Sequence, residues 1–132
     1  MIGKLSGEAI AFLTRPLHGV LASYSSNGVL HQVPVNAVLD DETSPRRLLV
    51  LAGGLSKKVR NIRNNPAASF CVFQGQSYVS ISGTATVIED TSEIARVEKL
   101  YERKYAKVPR INPSRVVVAI ECSRSIEHRL GH

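Results

Sequence analysis

The residues most suited to binding or catalysis are a serine and two lysines in succession, Ser56, Lys57 and Lys58. They come shortly after Gly53 and Gly54. They lie at the predicted start of a short helix, with Ser56 as an N-cap whose hydroxyl accepts a hydrogen bond from a first-turn amide. Lysines are unfavourable there for the helix itself, because the N-terminal end of the helix dipole is positive. Two cations at that end instead suit an external anion, such as a phosphate. The alternative is an ordinary solvated basic face.

Other catalytic patterns are absent from the sequence. The spacing of the glycines and lysines matches neither G-x-x-x-x-G-K-[ST] nor G-x-G-x-x-G, which excludes a nucleoside triphosphatase loop and a dinucleotide fingerprint. No G-x-S-x-G elbow is present, so nothing indicates covalent catalysis by serine. Of the four histidines, only His128 and His132 have helical ligand spacing, and no cysteine or carboxylate set surrounds them, so no metal site is predicted.

The net charge of +6 is concentrated in one segment of the chain. Residues 43–88 contain no Asp or Glu, whereas the rest of the chain carries equal numbers of acidic and basic residues. A local excess of this kind favours an anionic partner, either a phosphorylated cofactor or a nucleic acid. The basic residues of the segment are Arg46, Arg47, Lys57, Lys58, Arg60 and Arg63.

Length and composition indicate a single globular domain of 132 residues, of which 43% are hydrophobic. No apolar run approaches the roughly 20 residues of a membrane span. Residues 1–6 lack the apolar core of a signal peptide, so we expect a cytoplasmic protein. Cys71 and Cys122 lie in apolar runs and are predicted to be buried free thiols.

Hydrophobic periodicity and turn residues predict about six strands and three helices. The first helix follows Ser6 and turns Ile10, Leu13 and Leu17 inward. The second ends at 64–66, where Pro66 cannot continue it, and the third runs from Asp90 to about Tyr105 with an inner stripe of Ile94, Val97, Leu100, Tyr101 and Tyr105. The strands are predicted at 18–24, 29–39, 48–52, 68–73, 77–88 and 115–122.

Hairpins dominate this order, which favours a mostly β fold, an antiparallel barrel with peripheral helices. Asn27 and Gly28 predict a type I′ turn. Pro34 indicates a sheet edge, a bulge or a cleft wall, because it cannot donate to a ladder. Gly83 suggests a bulge. The tail from Ser123 is polar and predicted to be irregular.

The run at 51–69 follows the pattern S-x-K-x-x-N-[IL]-x-x-[DN]-P-x-[AS] and resembles the split-barrel flavin and deazaflavin oxidoreductases, the group that includes pyridoxamine phosphate oxidase. The Gly-Thr-Ala of residues 83–85 and the run at 101–117 match in order. This last run is most similar to members that use coenzyme F420, and among them to the biliverdin-reducing type. The resemblance covers nearly the whole chain.

The resemblance implies a six-stranded split β-barrel, the FMN-binding split barrel, and a homodimer with one cofactor in each of two grooves between the chains. Lys58 occupies the position of the family's phosphate-binding lysine. The resemblance places Ser56, Lys57, Arg60 and Asn61 beside it, Val33, Val35, Asn36, Leu51 and Ala52 around the tricyclic ring, and Gln76, Ser77 and Tyr78 in the site from the partner chain.

The implied function is hydride transfer from reduced F420 to a planar conjugated acceptor such as biliverdin or a quinone, with the cofactor carrying the chemistry. An FMN-binding oxidase or reductase on the same fold is the alternative. Arg46, Arg47 and Arg63 favour F420, which adds an anionic glutamate tail to its phosphate. Arg60, Arg124 and Arg129 are candidates for pairing with substrate carboxylates. A nucleic-acid-binding module is a third reading, but only 5% of the residues are aromatic and no binding motif is present.

Overall fold

The structure, a computed structural model, describes residues 5–130 of the chain. These residues form eight antiparallel strands and three helices. The elements are α1 (Gly7–Leu13), β1 (Gly19–Tyr24), β2 (Leu30–Val35), β3 (Ala37–Asp40), β4 (Arg47–Gly53), α2 (Lys57–Asn64), β5 (Ala67–Gln74), β6 (Ser77–Ile88), α3 (Thr91–Tyr105), β7 (Arg115–Glu121) and β8 (Arg124–His128).

The mostly β fold class with peripheral helices is confirmed, but the strand count of six is too low. The predicted strand at 29–39 is two strands, because the extended segment is interrupted at Asn36, between β2 and β3. The polar tail also contains a strand, β8, which pairs with β6. Residues 1–4, part of the stretch predicted to contain no signal peptide, and His132 lie outside the described residues.

Strand β6 joins the two halves of the sheet, whose order is β2-β1-β5-β6-β7-β4-β3. Its first part pairs with β5 on one side and β8 on the other. Its last part, Ala85 to Ile88, pairs with β7 instead. A single 12-residue strand therefore belongs to both halves, which gives the sheet its barrel-like closure.

Gly83 lies where β6 passes from one half to the other. Its pairing with Ala68 of β5 is unbroken. On the other side of β6 the register shifts by one residue between the pairs Ser82–Arg124 and Ala85–Ile120, so a bulge is present opposite Gly83, with the extra residue on the β7–β8 side. A Cβ atom at Gly83 would overlap the carbonyl oxygen of Glu121, at the end of β7. Glycine is required here because the backbones of two strands cross in contact.

The core lies inside the barrel and is closed by α1 and α2. Phe12 and Leu13 of α1 and Val59 and Ile62 of α2 are buried in it with the inward residues of the strands. Of the residues predicted to face inward, Leu13 of α1 is buried, whereas Ile10 and Leu17, which follows the helix, are only partly buried; Ala9 and Phe12 complete the buried face of α1.

Helix α3 packs on the outer face of the second half-sheet. Val97 is fully buried against Leu49, Val117 and Ala119. The predicted stripe is confirmed, since its Ile94 and Leu100 also pack against this cluster. The outer face of the first half-sheet has no covering helix among the described residues.

The β1–β2 connection differs from the predicted type I′ turn. Only Gly28 has a positive φ, 81°, whereas type I′ also requires a positive φ at Asn27. The Gly28 N–H donates to the Ser25 carbonyl at 2.9 Å, and Ser25 N–H donates to the Val29 carbonyl. This is a three-residue loop with a left-handed glycine. Pro34 does lie on an edge strand, as predicted, because β2 ends the sheet order.

The two cysteines are free, as predicted, but only one is buried. Cys122 follows β7 in the core, where burial raises its thiol pKa to about 11. Cys71 is half-exposed because alternation along β5 turns it to the outer face of the first half-sheet.

Buried polar groups lock α3 to the sheet. Asp40 is 1% exposed and accepts hydrogen bonds from Arg96 at 2.8 Å and Arg47 at 3.1 Å. Burial raises the pKa of Asp40, but these hydrogen bonds outweigh burial and leave the pKa below its usual value. At the other end of α3, Lys104 donates to the carbonyls of Leu13, at 2.7 Å, and Ala37, at 2.6 Å. Burial lowers the Lys104 pKa to about 8.

We predict that Gly83→Ala lowers the free energy of unfolding by at least about 2 kcal/mol, because the backbones of β6 and β7 must separate to admit the methyl group. Gly7→Ala is the control, since a Cβ atom there meets nothing within 4 Å. It should leave stability unchanged or raise it by up to about 1 kcal/mol. Urea unfolding measures both, and equal stabilities would contradict the assigned crossing.

We predict a pH-dependent stability that originates at Lys104. Its pKa is about 8 in the folded protein and near 10.5 when exposed. Below pH 8 Lys104 is protonated in both the folded and the unfolded state, so the folded state is destabilised by the whole free-energy cost of burying the charge. Above pH 8 the folded state releases the proton first, so the free energy of unfolding rises, by up to about 1.4 kcal/mol per pH unit.

The variant Lys104→Met should lack this rise. Urea midpoints of wild type and variant between pH 7 and 10 isolate the effect, because other titrating groups are common to both proteins. Parallel pH profiles would contradict the prediction.

Candidate functional site

Helix α2 begins at Lys57 and ends at Asn64, with Asn65 as C-cap, as predicted. Ser56 is the N-cap residue with an extended backbone, but its side chain caps no amide. Its hydroxyl instead donates to the Gly53 carbonyl at 2.8 Å. The predicted side-chain cap is therefore wrong. The first-turn N–H groups of α2 accordingly remain without a side-chain acceptor among the described residues.

The basic residues of α2 divide between two grooves. Lys57, Arg60, Asn61 and Asn64 are spaced to share one helix face and line a groove beside the β1–β2 turn. Lys58 lies about a quarter-turn away and lines a second groove. The single cluster predicted around Lys58 is therefore divided, since Lys57, Arg60 and Asn61 line the other groove.

The second groove, here the loop groove, is bounded by β2, β4, α2, α3 and the segment that joins α3 to β7. Its volume is about 290 Å³. It contains three of the predicted ring-flanking residues together with Lys58. The groove is lined by Pro34, Val35, Asn36, Leu51, Lys58, Tyr101, Lys107, Val108, Pro109, Arg110 and Arg115.

Lys58 is the half-buried cation of this groove. Burial lowers its pKa below the ordinary value. No carboxylate of residues 5–130 lies within 4 Å of its ammonium group, whereas Arg115 nearby is paired with Glu98 at 2.7 Å. A desolvated and unpaired lysine is suited to an anion supplied from outside the chain.

Asn36 lies between β2 and β3 and is held by two side chains. Its Oδ1 is 2.5 Å from Nδ1 of His18, and its Nδ2 donates to the Tyr101 hydroxyl at 3.3 Å. Tyr101 in turn packs against Tyr105, with ring centroids 4.9 Å apart. The amide is thereby fixed in one orientation at the wall of the loop groove.

The first groove, here the turn groove, has a volume of about 470 Å³ and opens between α2 and the β1–β2 turn. Lys57 and Arg60 supply its positive charge. Asn61 is only 5% exposed, and its Nδ2 donates to the Ser23 hydroxyl at 3.2 Å in the interior. In this structure Asn61 therefore anchors α2 to β1.

The predicted ring-flanking residues do not all reach the loop groove. Val35, Asn36 and Leu51 line it. Val33 packs against the core, and Ala52 is 5% exposed within the core because alternation along β4 turns it away from Leu51.

Gln76, Ser77 and Tyr78 lie at the far end of the first half-sheet. Gln76 and Tyr78 line a third cavity of about 600 Å³ with His128 and Arg129. Tyr78 stacks on His128, with ring centroids 5.3 Å apart. The Ser77 hydroxyl donates to the Arg129 carbonyl at 2.7 Å. None of the three lines the loop groove or the turn groove. Their contribution from a partner chain stays a prediction.

The twin glycines have a structural role. Gly54 N–H donates to the Ser114 carbonyl at 2.7 Å, and a Cβ atom at Gly54 would lie 2.6 Å from that oxygen. A Cβ atom at Gly53 would meet only Asn112 Nδ2, at 3.5 Å. Gly54 therefore lets the segment 106–114 lie against the start of α2.

Three arginines of the basic segment have carboxylate partners within the chain. Arg46 pairs with Asp41 at 2.8 Å. Arg47 pairs with Asp40, and Arg63 lies 3.4 Å from Glu89. Because their charges are paired within the chain, these three arginines no longer favour a cofactor with an anionic tail. The same pairs also reduce the free charge available to a nucleic acid.

Several lining residues of the loop groove were not predicted. Tyr101 was assigned only to the inner stripe of α3, and Lys107 and Arg110 to a loop. The run at 101–117 carried part of the family resemblance, which is the one sequence signal that points to them. Among residues 5–130 no group of three His, Cys, Asp or Glu side chains is placed to hold a metal ion.

A comparison with protein families matches residues 5–128 to the family described as pyridoxamine 5'-phosphate oxidase. The chain belongs to the pyridoxamine 5'-phosphate oxidase family. This membership confirms the predicted resemblance and the predicted enzyme class, an oxidoreductase.

One curated protein similar in sequence to this chain is the F420H(2)-dependent biliverdin reductase of Mycobacterium tuberculosis (strain CDC 1551 / Oshkosh). It is 29% identical over 121 residues, which cover 92% of this chain and 86% of the relative.

Solved structures of similar fold include the conserved hypothetical protein Rv2991 from Mycobacterium tuberculosis, with a TM-score of 0.81 and 22% identity over 96% of this chain and 85% of that one. A structure described as an F420 reductase has a TM-score of 0.75 and 23% identity, covering 93% and 98% of the two chains. A pyridoxamine 5'-phosphate oxidase-like protein from Listeria innocua has a TM-score of 0.71 and 22% identity over 89% and 93%. These likenesses confirm the split-barrel fold.

The helices of residues 5–130 include none that is both long and apolar enough to cross a membrane.

We predict opposite outcomes for the two neighbouring glycines. Gly54→Ala should lower the free energy of unfolding by about 1–3 kcal/mol, because the methyl group displaces Ser114. Gly53→Ala should change it by no more than about 0.5 kcal/mol, since its new contact is ordinary. Urea unfolding checks stability, and amide chemical shifts of residues 106–114 check the displacement. Equal effects would contradict the assigned contact.

Proposed function

We propose that this protein is an F420-dependent oxidoreductase that passes a hydride from the reduced deazaflavin to a planar conjugated acceptor, such as biliverdin or a quinone. The main support is a curated relative that is F420H(2)-dependent and similar over 92% of this chain. The observation of this structure that supports it is Lys58, an unpaired and half-buried cation in the groove that also holds Val35, Asn36 and Leu51.

The residues at the start of α2 fit the phosphate of such a cofactor. Lys58 supplies a positive charge that burial has partly desolvated. The first-turn amides of α2 have no side-chain cap, because the Ser56 hydroxyl donates to Gly53. A phosphate oxygen would accept hydrogen bonds from these amides and from Lys58 at once.

The walls of the loop groove fit the edge of a flat ring system. Val35 and Leu51 offer apolar contact, and Asn36 offers one fixed amide. Because His18 and Tyr101 hold this amide, a ring carbonyl or ring N–H meets a side chain that needs no reordering. When bound, F420 supplies the hydride chemistry, and the protein supplies position and electrostatics.

The protein is proposed to act as a homodimer. The outer face of the first half-sheet has a row of paired residues that contains no charge: Pro34, Val20, Cys71, Ser80 and Ile126.

The next row along the same face pairs Phe73 with Tyr78 and Tyr78 with His128. Phe73 is 57% exposed and Ile126 is 60% exposed. The row on the other side of Ile126 contains a charge, Arg124, which pairs with Ser82. Two adjacent uncharged rows with large exposed apolar side chains are typical of a protein interface. A second copy on this face would also bring its Gln76, Ser77 and Tyr78 toward a site that one chain leaves incomplete.

The FMN alternative rests on the same groove, since FMN also carries a phosphate. The two are separated by the cofactor that the protein binds. A nucleic-acid partner is less well supported, because Arg46, Arg47 and Arg63 pair with carboxylates of the chain.

We predict that Lys58→Ala weakens F420 binding by about 1–3 kcal/mol, the scale of a charge-assisted hydrogen bond, without loss of stability. Fluorescence titration of F420 measures the dissociation constant. Lys99→Ala, on the exposed side of α3, is the matched control and should bind as wild type does. A large loss in Lys57→Ala with none in Lys58→Ala would place the anion in the turn groove and contradict the prediction.

We predict that Ile126→Arg converts a dimer into a monomer, because it puts a charge at the β8 end of the uncharged row, where Ile126 is exposed. Light scattering measures the mass, and F420 affinity should fall with dimer loss. Ala95→Arg adds the same side chain at an exposed position of α3 and should leave the dimer intact. A monomeric wild type, or a dimeric Ile126→Arg variant, would contradict the proposed interface.

A further inference from the structure

Two cations in the loop groove are not used by the proposed phosphate site. Lys107 and Arg110 lie on the segment 106–114 and line the groove together with Lys58, which belongs to α2. Neither has a carboxylate of residues 5–130 within 4 Å, whereas Arg115 of the same groove is paired with Glu98. No Asp or Glu lines the groove. Its free positive charge therefore exceeds what a single phosphate requires.

The segment that carries these cations is held in place at both ends. At its start, Ala106 adopts a left-handed conformation, with φ 53°, which ends α3 and turns the chain away from the helix axis. At its end, the Asn112 side chain accepts hydrogen bonds from the Ser114 N–H and hydroxyl, at 3.0 and 2.9 Å. Ser114 is in turn bonded to Gly54, at the start of α2.

Apolar side chains of the same segment are turned to solvent. Val108, which lines the groove, is 69% exposed, and Ile111 is 97% exposed. The segment thus presents two cations beside uncovered apolar surface. A ligand that matches this surface has an apolar body and carboxylates on its margin.

We propose that Lys107 and Arg110 form the carboxylate subsite for the electron acceptor, so that the substrate class is a conjugated acceptor that carries carboxylates. This inference rests on the proposed function, which places the cofactor on the Lys58 side of the groove. It replaces the sequence candidates for this role. Arg60 lies in the turn groove and Arg129 at the far end of the first half-sheet. Arg124 is exposed on β8 and lines none of these three grooves.

The subsite explains selection between kinds of acceptor. Arg110 has a planar guanidinium group that binds a carboxylate through two parallel hydrogen bonds, and Lys107 adds a point charge three residues before it. Because both side chains are exposed, the attraction is screened by salt. A neutral quinone gains nothing from these groups, whereas a dicarboxylate gains from both.

The test compares biliverdin, a dicarboxylate, with its dimethyl ester, which has the same conjugated body and no charge. Each is titrated into wild-type protein saturated with oxidised F420, so that no turnover occurs, and binding is followed by the red absorbance band of the tetrapyrrole. The same titrations are made with the double variant Lys107→Gln/Arg110→Gln. Arg103→Gln, an exposed arginine of α3 outside the groove, is the matched control.

We expect wild type and Arg103→Gln to bind the diacid about tenfold more tightly than the diester, with the difference shrinking as salt is added. The double variant should bind both ligands equally and should bind F420 as wild type does. A double variant that still prefers the diacid, or a wild type that binds neither tetrapyrrole, would overturn the subsite. Weaker F420 binding by the double variant would also overturn it, because the cations would then serve the cofactor.

Failure of the proposed function gives a different result. In that case wild type does not bind F420 at the first step of the titration, whatever the two cations do. A retained F420 affinity with no discrimination between diacid and diester leaves the proposed function standing and rejects the subsite alone.

Discussion

The fold depends on the close crossing of two backbones at Gly83. There β6 leaves its partners in the first half-sheet and joins β7 in the second, and the Glu121 carbonyl occupies the space of a side chain. Because one strand serves both halves, the edge strand β2 and the strand β4 come to lie on two sides of the same groove. The site is therefore a consequence of how the barrel closes.

Helix α2 contributes cations to the candidate binding site. Val59 and Ile62 fix one side of the helix in the core, so Lys58 and the pair Lys57 and Arg60 must face different grooves. Gly54 then allows the segment 106–114 to lie against the helix start. One groove thereby receives cations both from α2 and from the segment 106–114, which suits the proposed anionic cofactor together with an anionic acceptor.

Much of the fold was predictable from local patterns. The bounds of β6 and α3 follow from strict alternation and from a capped, periodic helix, and both are confirmed. Strand β8 was missed because only Ile126 in it is apolar, and its other residues pair with β6 through the backbone. The Ser56 cap was wrong because a nearer carbonyl, that of Gly53, takes its hydroxyl proton. The family pattern singled out Lys58, but no local signal places Lys107 and Arg110 in the same groove, since that depends on the contact between Gly54 and Ser114.

We propose that the protein uses F420 and not FMN, and its preference between the two cofactors tests this proposal most directly. Cofactor-free protein would be titrated with each cofactor in the same buffer, with fluorescence for both and calorimetry as the check. We predict a dissociation constant for F420 at least about tenfold lower than for FMN, a difference of about 1.4 kcal/mol. Protein that is yellow with FMN as purified, or that binds FMN as tightly as F420, would contradict it.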